Sequence, residues 1–162
     1  MIIFEIIMDI DNAFIHKEFF RMMIGKQIGR GMSRAVYAFK NDPTLVIKVE
    51  EASESFQNVR EWEYWQENKD FKPVAQWLAP CHYISPCGTI LVQSRVGSLE
   101  KSAYPKIIPH FFTDTKYQNF GTLKGKTVCF DYGNIPLSKG IEIKKGKVKM
   151  VKAEWWGDQE IL

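Results

Sequence analysis

Short runs of β-branched and aromatic residues, broken by turn-forming residues, recur along most of this chain. Ala35–Phe39 and Leu45–Val49 are two such runs, and Asn41-Asp42-Pro43 between them predicts an antiparallel hairpin. The strongest helical periodicity falls between residues 53 and 68, where Phe56, Val59, Trp62 and Trp65 recur near helical spacing. Ser53 or Ser55 supplies a cap for this helix, Glu54 suits its first turn, and Pro73 ends any continuation. Trp77–Ser85 and Thr89–Val96 predict a second hairpin across Pro86-Cys87-Gly88. Lys126–Phe130 reads as a further strand, and residues 141–144 and 147–151 as a closing hairpin around Lys145-Gly146. Near the start, Asp11-Asn12 caps a predicted helix to Met23, with Ile10, Phe14, Phe19, Met22 and Met23 as its apolar stripe. Strands outnumber helices, which predicts an α+β fold.

Composition narrows the class. A chain of 162 residues with 45% hydrophobic and 25% charged residues suits one globular domain or two small lobes, and excludes disorder or a fibre. No apolar run reaches the ~20 residues of a membrane helix. The apolar opening, residues 1–9, carries Glu5 and lacks both a basic front and a small-residue cleavage site, so it is a poor signal peptide. Cys81, Cys87 and Cys129 leave one thiol over in any disulfide scheme, which points to a reducing, cytoplasmic setting. A net charge of +3 does not by itself imply nucleic acid.

Several positions carry chemical potential. Gly29 and Gly31 lie in a glycine-rich turn, where backbone amides can approach phosphates and positive φ is tolerated. A strand follows them, not the helix that a dinucleotide fingerprint requires. Lys48 offers a fixed cation for phosphate oxygens, and Glu61, thirteen residues on, a carboxylate to hold it. Asp114 could orient or deprotonate a hydroxyl, with Lys116 beside it to neutralise charge. Asn119 and Asp131 offer hard oxygen ligands of the kind Mg²⁺ prefers. Taken singly, each has a plainer reading as a hairpin glycine, a solvent-facing charge or a turn residue.

Taken together, the glycine-rich turn, Val46-Ile47-Lys48, Arg60-Glu61, Asp114-x-Lys116-x-x-Asn119 and Asp131-Tyr132-Gly133 stand in the order of the protein-kinase signatures. Over residues 24–135 the chain resembles the protein kinase superfamily. The resemblance implies that Gly29 and Gly31 cover the phosphates of ATP, and that Lys48 contacts them while paired with Glu61. It makes Asp114 the catalytic aspartate, Lys116 its phosphate-facing companion, and Asn119 and Asp131 the Mg²⁺ ligands. Gln93–Val96 matches the hinge that holds adenine. The implied architecture is kinase-like α+β: an antiparallel N-lobe sheet with one main helix over residues 1–96. A strongly shortened catalytic-loop lobe ending in a lysine-rich hairpin follows over 97–162, the whole forming one structural unit.

The departures are specific. Arg34 stands where a third glycine is common, Phe112-Thr113 replace His-Arg, and Tyr132 replaces Phe. Seventeen residues separate Val96 from Asp114, too few for the helices that usually fill that interval. Twenty-nine residues follow Gly133, without Ala-Pro-Glu. In this the sequence resembles small, truncated kinase-like proteins of bacteriophages, which by analogy would work in a host cytoplasm.

The first functional expectation is therefore an ATP- and Mg²⁺-dependent phosphotransferase acting on an unknown acceptor. The alternative is a pseudokinase, weak or inactive, that engages a protein partner or a second copy of itself. An exposed Trp155-Trp156 pair would then anchor the contact. Nucleic-acid binding through Lys139, Lys144, Lys145, Lys147, Lys149 and Lys152 ranks third, because lysines alternating on a hairpin also form a solvated face that protects an edge strand. Cys81-His82 and Cys87 do not complete a zinc set, His16 and His110 are unmatched, and Cys129 reads as core.

Overall fold

The computed structural model describes residues 18, 21–51, 55–136, 143–144 and 146–157. Strands β1 (Ile24–Arg30), β2 (Arg34–Phe39), β3 (Leu45–Glu50), β4 (Cys81–Ile84) and β5 (Ile90–Ser94) form an antiparallel sheet in the order β1-β2-β3-β5-β4. Asp42 sets the β2–β3 turn: its Oδ1 accepts from the Thr44 backbone N (2.8 Å) and hydroxyl (2.6 Å). That hairpin matches the sequence expectation. β1 was not expected, because Gly25 and Gly29 within it read as turn residues.

Helix α1 spans Gln57–Asn68 and buries Asn58, Glu61, Tyr64 and Asn68 along one side. Of the two serines expected to cap it, only Ser55 is among the described residues. Residues 52–54 lie outside the described residues, and Ser55 makes no cap of its own, donating instead to Glu50 Oε1. The Glu50 carboxylate, reaching from the end of β3, accepts from the backbone N–H groups of Gln57 (2.9 Å) and Asn58 (3.1 Å). A carboxylate at a helix N-terminus also meets its dipole favourably. This cap fixes α1 against the sheet. Pro73, expected to stop a helix, instead lies in the first turn of a short one, α2 (Lys72–Ala75), where its missing N–H costs nothing.

β6 (Ile107–Pro109) pairs with β11 (Met150–Lys152), and β7 (Phe120–Leu123) with β8 (Lys126–Cys129). Lys124 and Gly125 both take positive φ (51° and 75°), the two-residue turn whose twist suits a tight hairpin. β7 was missed in the sequence. The expected closing hairpin survives as β9 (Ile143–Lys144) with β10 (Lys147–Val148), while residues 150–152 leave it for β6. Ile141, Glu142 and Lys145 lie outside the described residues, as does most of the expected helix before Met23, of which residues 21–23 are helical. Trp77–Pro80, expected in a strand, precede β4.

One core joins the sheet and α1 to the later strands. Tyr64, Leu78, Cys81, Leu91, Phe111, Phe112, Phe120, Cys129 and Tyr132 pack as a single cluster. Among the described residues no helix is long and apolar enough to cross a membrane.

Candidate functional site

Antiparallel pairing puts Val36, Lys48 and Leu91 side by side across β2, β3 and β5, on one face of the sheet. Lys48 is buried there, and α1 lays its polar stripe over it. Glu61 is fully buried and is held from both sides: Oε2 lies 2.8 Å from Lys48 Nζ and Oε1 2.8 Å from Arg34 Nη2. Lys48 also donates to the Phe130 carbonyl. Arg34 continues to Asp131, with Nη2 2.6 Å from Oδ1. The site is thus a chain of alternating charge, buried at Lys48, Glu61 and Arg34 and reaching partly exposed Asp131. Asn58 anchors it, its Oδ1 3.4 Å from Arg34 Nη1 and its Nδ2 donating to the Thr89 (2.9 Å) and Lys48 (3.3 Å) carbonyls.

Burial alone would raise the pKa of Glu61, but the Arg34 and Lys48 charges overcome it and hold the carboxylate at about 2. Arg34 loses solvation too, yet Glu61 and Asp131 raise its pKa above the ordinary guanidinium value. Asp131 goes the other way. Desolvation, then the Glu61 charge, raise it above the usual carboxylate range despite Arg34 and Lys48.

The facing wall comes from the loop before β7. Asn119 Nδ2 donates to Asp114 Oδ2 at 3.0 Å, and the Asn119 carbonyl accepts from Phe130 N at 2.9 Å, tying this turn to the segment that carries Asp131. Asp114 and Asp131 line one small cleft with Phe112, Thr113, Cys129 and Tyr132. Asp114 Oδ1 is buried and has no hydrogen-bond partner among the described residues. An orphaned carboxylate oxygen in a cleft is a place for a ligand's proton or charge.

Asp131-Tyr132-Gly133 is pinned at every residue. Tyr132 N donates to Glu61 Oε1 (3.2 Å), its hydroxyl donates to the Ala79 carbonyl (2.8 Å), and its ring meets Tyr64 at 6.1 Å. A Cβ on Gly133 would stand 2.9 Å from the Gln57 carbonyl oxygen, so only glycine fits beside the start of α1.

Other expected site residues lie apart from this centre. Lys116 sets its ammonium 5.5 Å from the Trp156 ring centre, in a stretch paired with Trp156 and not in the cleft lining. Gly29 and Gly31 do not have positive φ, and a Cβ at either would meet nothing closer than 3.6 Å, so neither is required by local strain. Gln93 is buried on β5, with Nε2 donating to the Ala79 carbonyl (3.4 Å) and Oε1 unpaired among the described residues. Beyond it, the N–H groups of Ser94, Arg95 and Gly97 are bonded to Pro80, Thr44 and Thr122. Trp155 and Trp156 do not form an exposed pair. Trp155 packs against Tyr104 and Phe120 and donates to the Pro105 carbonyl (2.9 Å), while Trp156 is 53% exposed. Of the lysine strip, Lys139 and Lys145 lie outside the described residues, and Lys147, Lys149 and Lys152 are exposed.

The three thiols differ sharply. Burial pushes Cys81 up to about 12 and Cys129 well above the ordinary thiol value. Exposed Cys87 is lowered to about 7 by hydrogen bonds to its thiolate from Ser85 and Thr89. Iodoacetamide at neutral pH should therefore add one carbamidomethyl group to the native protein, mapped by mass spectrometry to Cys87, and three only after denaturation. The rate should reach half its maximum near pH 7; equal labelling of all three thiols in the native state would contradict this ranking.

Among the described residues no three His, Cys, Asp or Glu side chains group as metal ligands. No protein-family model matches the chain, and no curated protein matches it.

Proposed function

We propose that this chain is a protein-kinase-like nucleotide-binding domain that takes ATP between the β-sheet and the Asp114–Asp131 cleft. The observation that carries this reading is the buried Lys48–Glu61 ion pair between β3 and α1, beside Asp131. An ammonium has three N–H donors. Those of Lys48 serve Glu61 and the Phe130 carbonyl, leaving one, among the described residues, for a phosphate oxygen. Glu61 keeps that cation in place, so the lysine meets a ligand without reorganising. Asp114, oriented by Asn119, presents the orphaned Oδ1 as proton acceptor for an incoming hydroxyl, which makes phosphoryl transfer from ATP the activity this cleft would perform.

A magnesium ion would have Asn119 and Asp131 as its ligands, and as arranged they do not fit it. Asp131 Oδ1 is already paired with the Arg34 guanidinium, whose positive charge stands where the ion would sit. The Asn119 amide donates to Asp114 through Nδ2, leaving its oxygen as the one uncommitted donor atom of that side chain among the described residues.

A second reading, a kinase-like module that works by contact with another protein, draws on that same Arg34 pairing. It also draws on residues 97–113, which hold a 3₁₀ turn at Lys101–Ala103 and β6 but no α-helix to present a substrate.

Thermal unfolding with and without ATP separates the two. Saturation at about 100 times the dissociation constant stabilises a protein by about 2.7 kcal/mol. For a chain of this size that is a rise of roughly 5–10 °C in midpoint. The rise should shrink in Lys48→Met, judged against that variant's own midpoint. An unchanged midpoint at millimolar ATP, with and without Mg²⁺, would reject the nucleotide site and leave the contact module.

A further inference from the structure

Arg34 is the residue that sets this site apart. It opens β2 directly after the glycine-rich turn, where the kinase resemblance expects a third glycine, and Gly31 N donates to its carbonyl at 2.8 Å. Its side chain is only 7% exposed. A single nitrogen, Nη2, bridges Glu61 Oε1 and Asp131 Oδ1, at 2.8 and 2.6 Å. Nothing about this geometry is incidental to the surface: a buried guanidinium persists only where carboxylates compensate its charge.

Building on the nucleotide reading, we propose that the Arg34 guanidinium takes the place of a divalent cation at Asp131, so that the cleft excludes Mg²⁺ and receives a nucleotide's phosphates without it. Arg34 and Lys48 supply two positive charges, and Glu61 and Asp131 two negative ones, so the cluster is neutral as it stands, with Asp131 at its partly exposed end. A divalent ion entering beside Asp131 would have to displace the guanidinium from Oδ1 or bind Oδ2 against the guanidinium's positive charge. Displacement would strand Arg34 with Glu61 alone, which already neutralises Lys48. A guanidinium carries five N–H donors. Nη2 spends its two on Glu61 and Asp131 and Nη1 spends one on Asn58, so Nη1 and Nε keep donors, among the described residues, for phosphate oxygens. Those two donors lie on different edges of the guanidinium, so each offers a single bond to a phosphate oxygen, and the charge behind them does not depend on pH. Asp131 then positions the arginine, and does not ligate a metal.

The test uses Mn²⁺ alone, read by its paramagnetic resonance signal, on the full chain. Wild type should take up no Mn²⁺ at millimolar concentration. Arg34→Gln frees Asp131 and should gain one Mn²⁺ per chain, lost again in Arg34→Gln/Asp131→Asn. Uptake by wild type, or no gain in a folded Arg34→Gln, would overturn the proposal. A second measurement needs no variant: the ATP affinity of wild type in EDTA should lie within about twofold of that in Mg²⁺, where a metal-dependent site would lose about tenfold or more. Such a loss in EDTA would also overturn it. If ATP binds under neither condition while the Mn²⁺ difference holds, the nucleotide reading fails and the role of Arg34 at Asp131 stands.

Discussion

Glu61→Ala should cost this fold about 3–5 kcal/mol, the largest single-residue effect expected in the molecule. In a chain of this length that lowers the thermal midpoint by roughly 6–20 °C. The carboxylate is fully buried, neutralises both Lys48 and Arg34, and accepts from Tyr132 N. Removing it leaves two buried cations facing each other and frees the segment that carries Asp131. The size of the loss measures uncompensated charge, not the net worth of the pairs, and a second variant separates the two. Arg34→Met/Lys48→Met/Glu61→Leu replaces the ions by apolar side chains of similar length, and should recover most of the stability while removing nucleotide binding. Denaturant titration of both variants reads the difference. A Glu61→Ala protein within about 0.5 kcal/mol of wild type would mean that the network is not structural. The same carboxylate gives a sign for pH. Its folded pKa, about 2, lies below the unfolded value, so its contribution is complete above the ordinary carboxylate range and fades as pH falls toward 2.

Much of the scaffold around this network was legible in the sequence because local rules and tertiary contacts agree there. Asp42 both punctuates the sequence and accepts the turn's hydrogen bonds, so the β2–β3 hairpin follows from either. The aromatic spacing of residues 56–65 predicts α1, though the residues it buries most fully are Asn58, Glu61 and Tyr64, not the tryptophans. Trp62 and Trp65 flank the core half-buried. The stripe that periodicity would mark as polar is the buried one, because its charges are paired by Lys48 and Arg34 from across the sheet.

What was illegible has a common cause: the partner lies far away along the chain. The cap of α1 comes from Glu50, so no serine box was needed. Arg34 reads only as a residue in the place of a third glycine until Asp131, ninety-seven positions later, is brought beside it. The Lys116 ammonium lies over the Trp156 ring, forty positions later, because a parallel bridge aligns their backbones. Gly29 lies in β1, a strand whose apolar alternation is too weak to signal one. An added Cβ there would find only ordinary contacts with Val36, so the strand itself does not require glycine.

Asp114→Asn is the second variant expected to have a large effect, this time on turnover and not on folding. Under the phosphotransfer reading it should slow release of labelled phosphate from ATP, to water or to the chain itself, by about 10²–10⁴-fold. ATP affinity should stay within about twofold, because no contact of Lys48 or Arg34 passes through Asp114. Asn119 donates to only one of the two Asp114 oxygens. The asparagine amide can still accept that bond through its oxygen, which turns its NH₂ into the position of the orphaned Oδ1. A donor then stands where an acceptor is required, and an incoming hydroxyl keeps its proton. Little stability should be lost, since the side chain is not fully buried and its fixed hydrogen bond survives. Equal turnover in the variant and wild type would remove Asp114 from the chemistry. No turnover in wild type, with ATP still bound, would assign the cleft to the contact module, with nucleotide as a structural ligand held by Lys48 and Arg34.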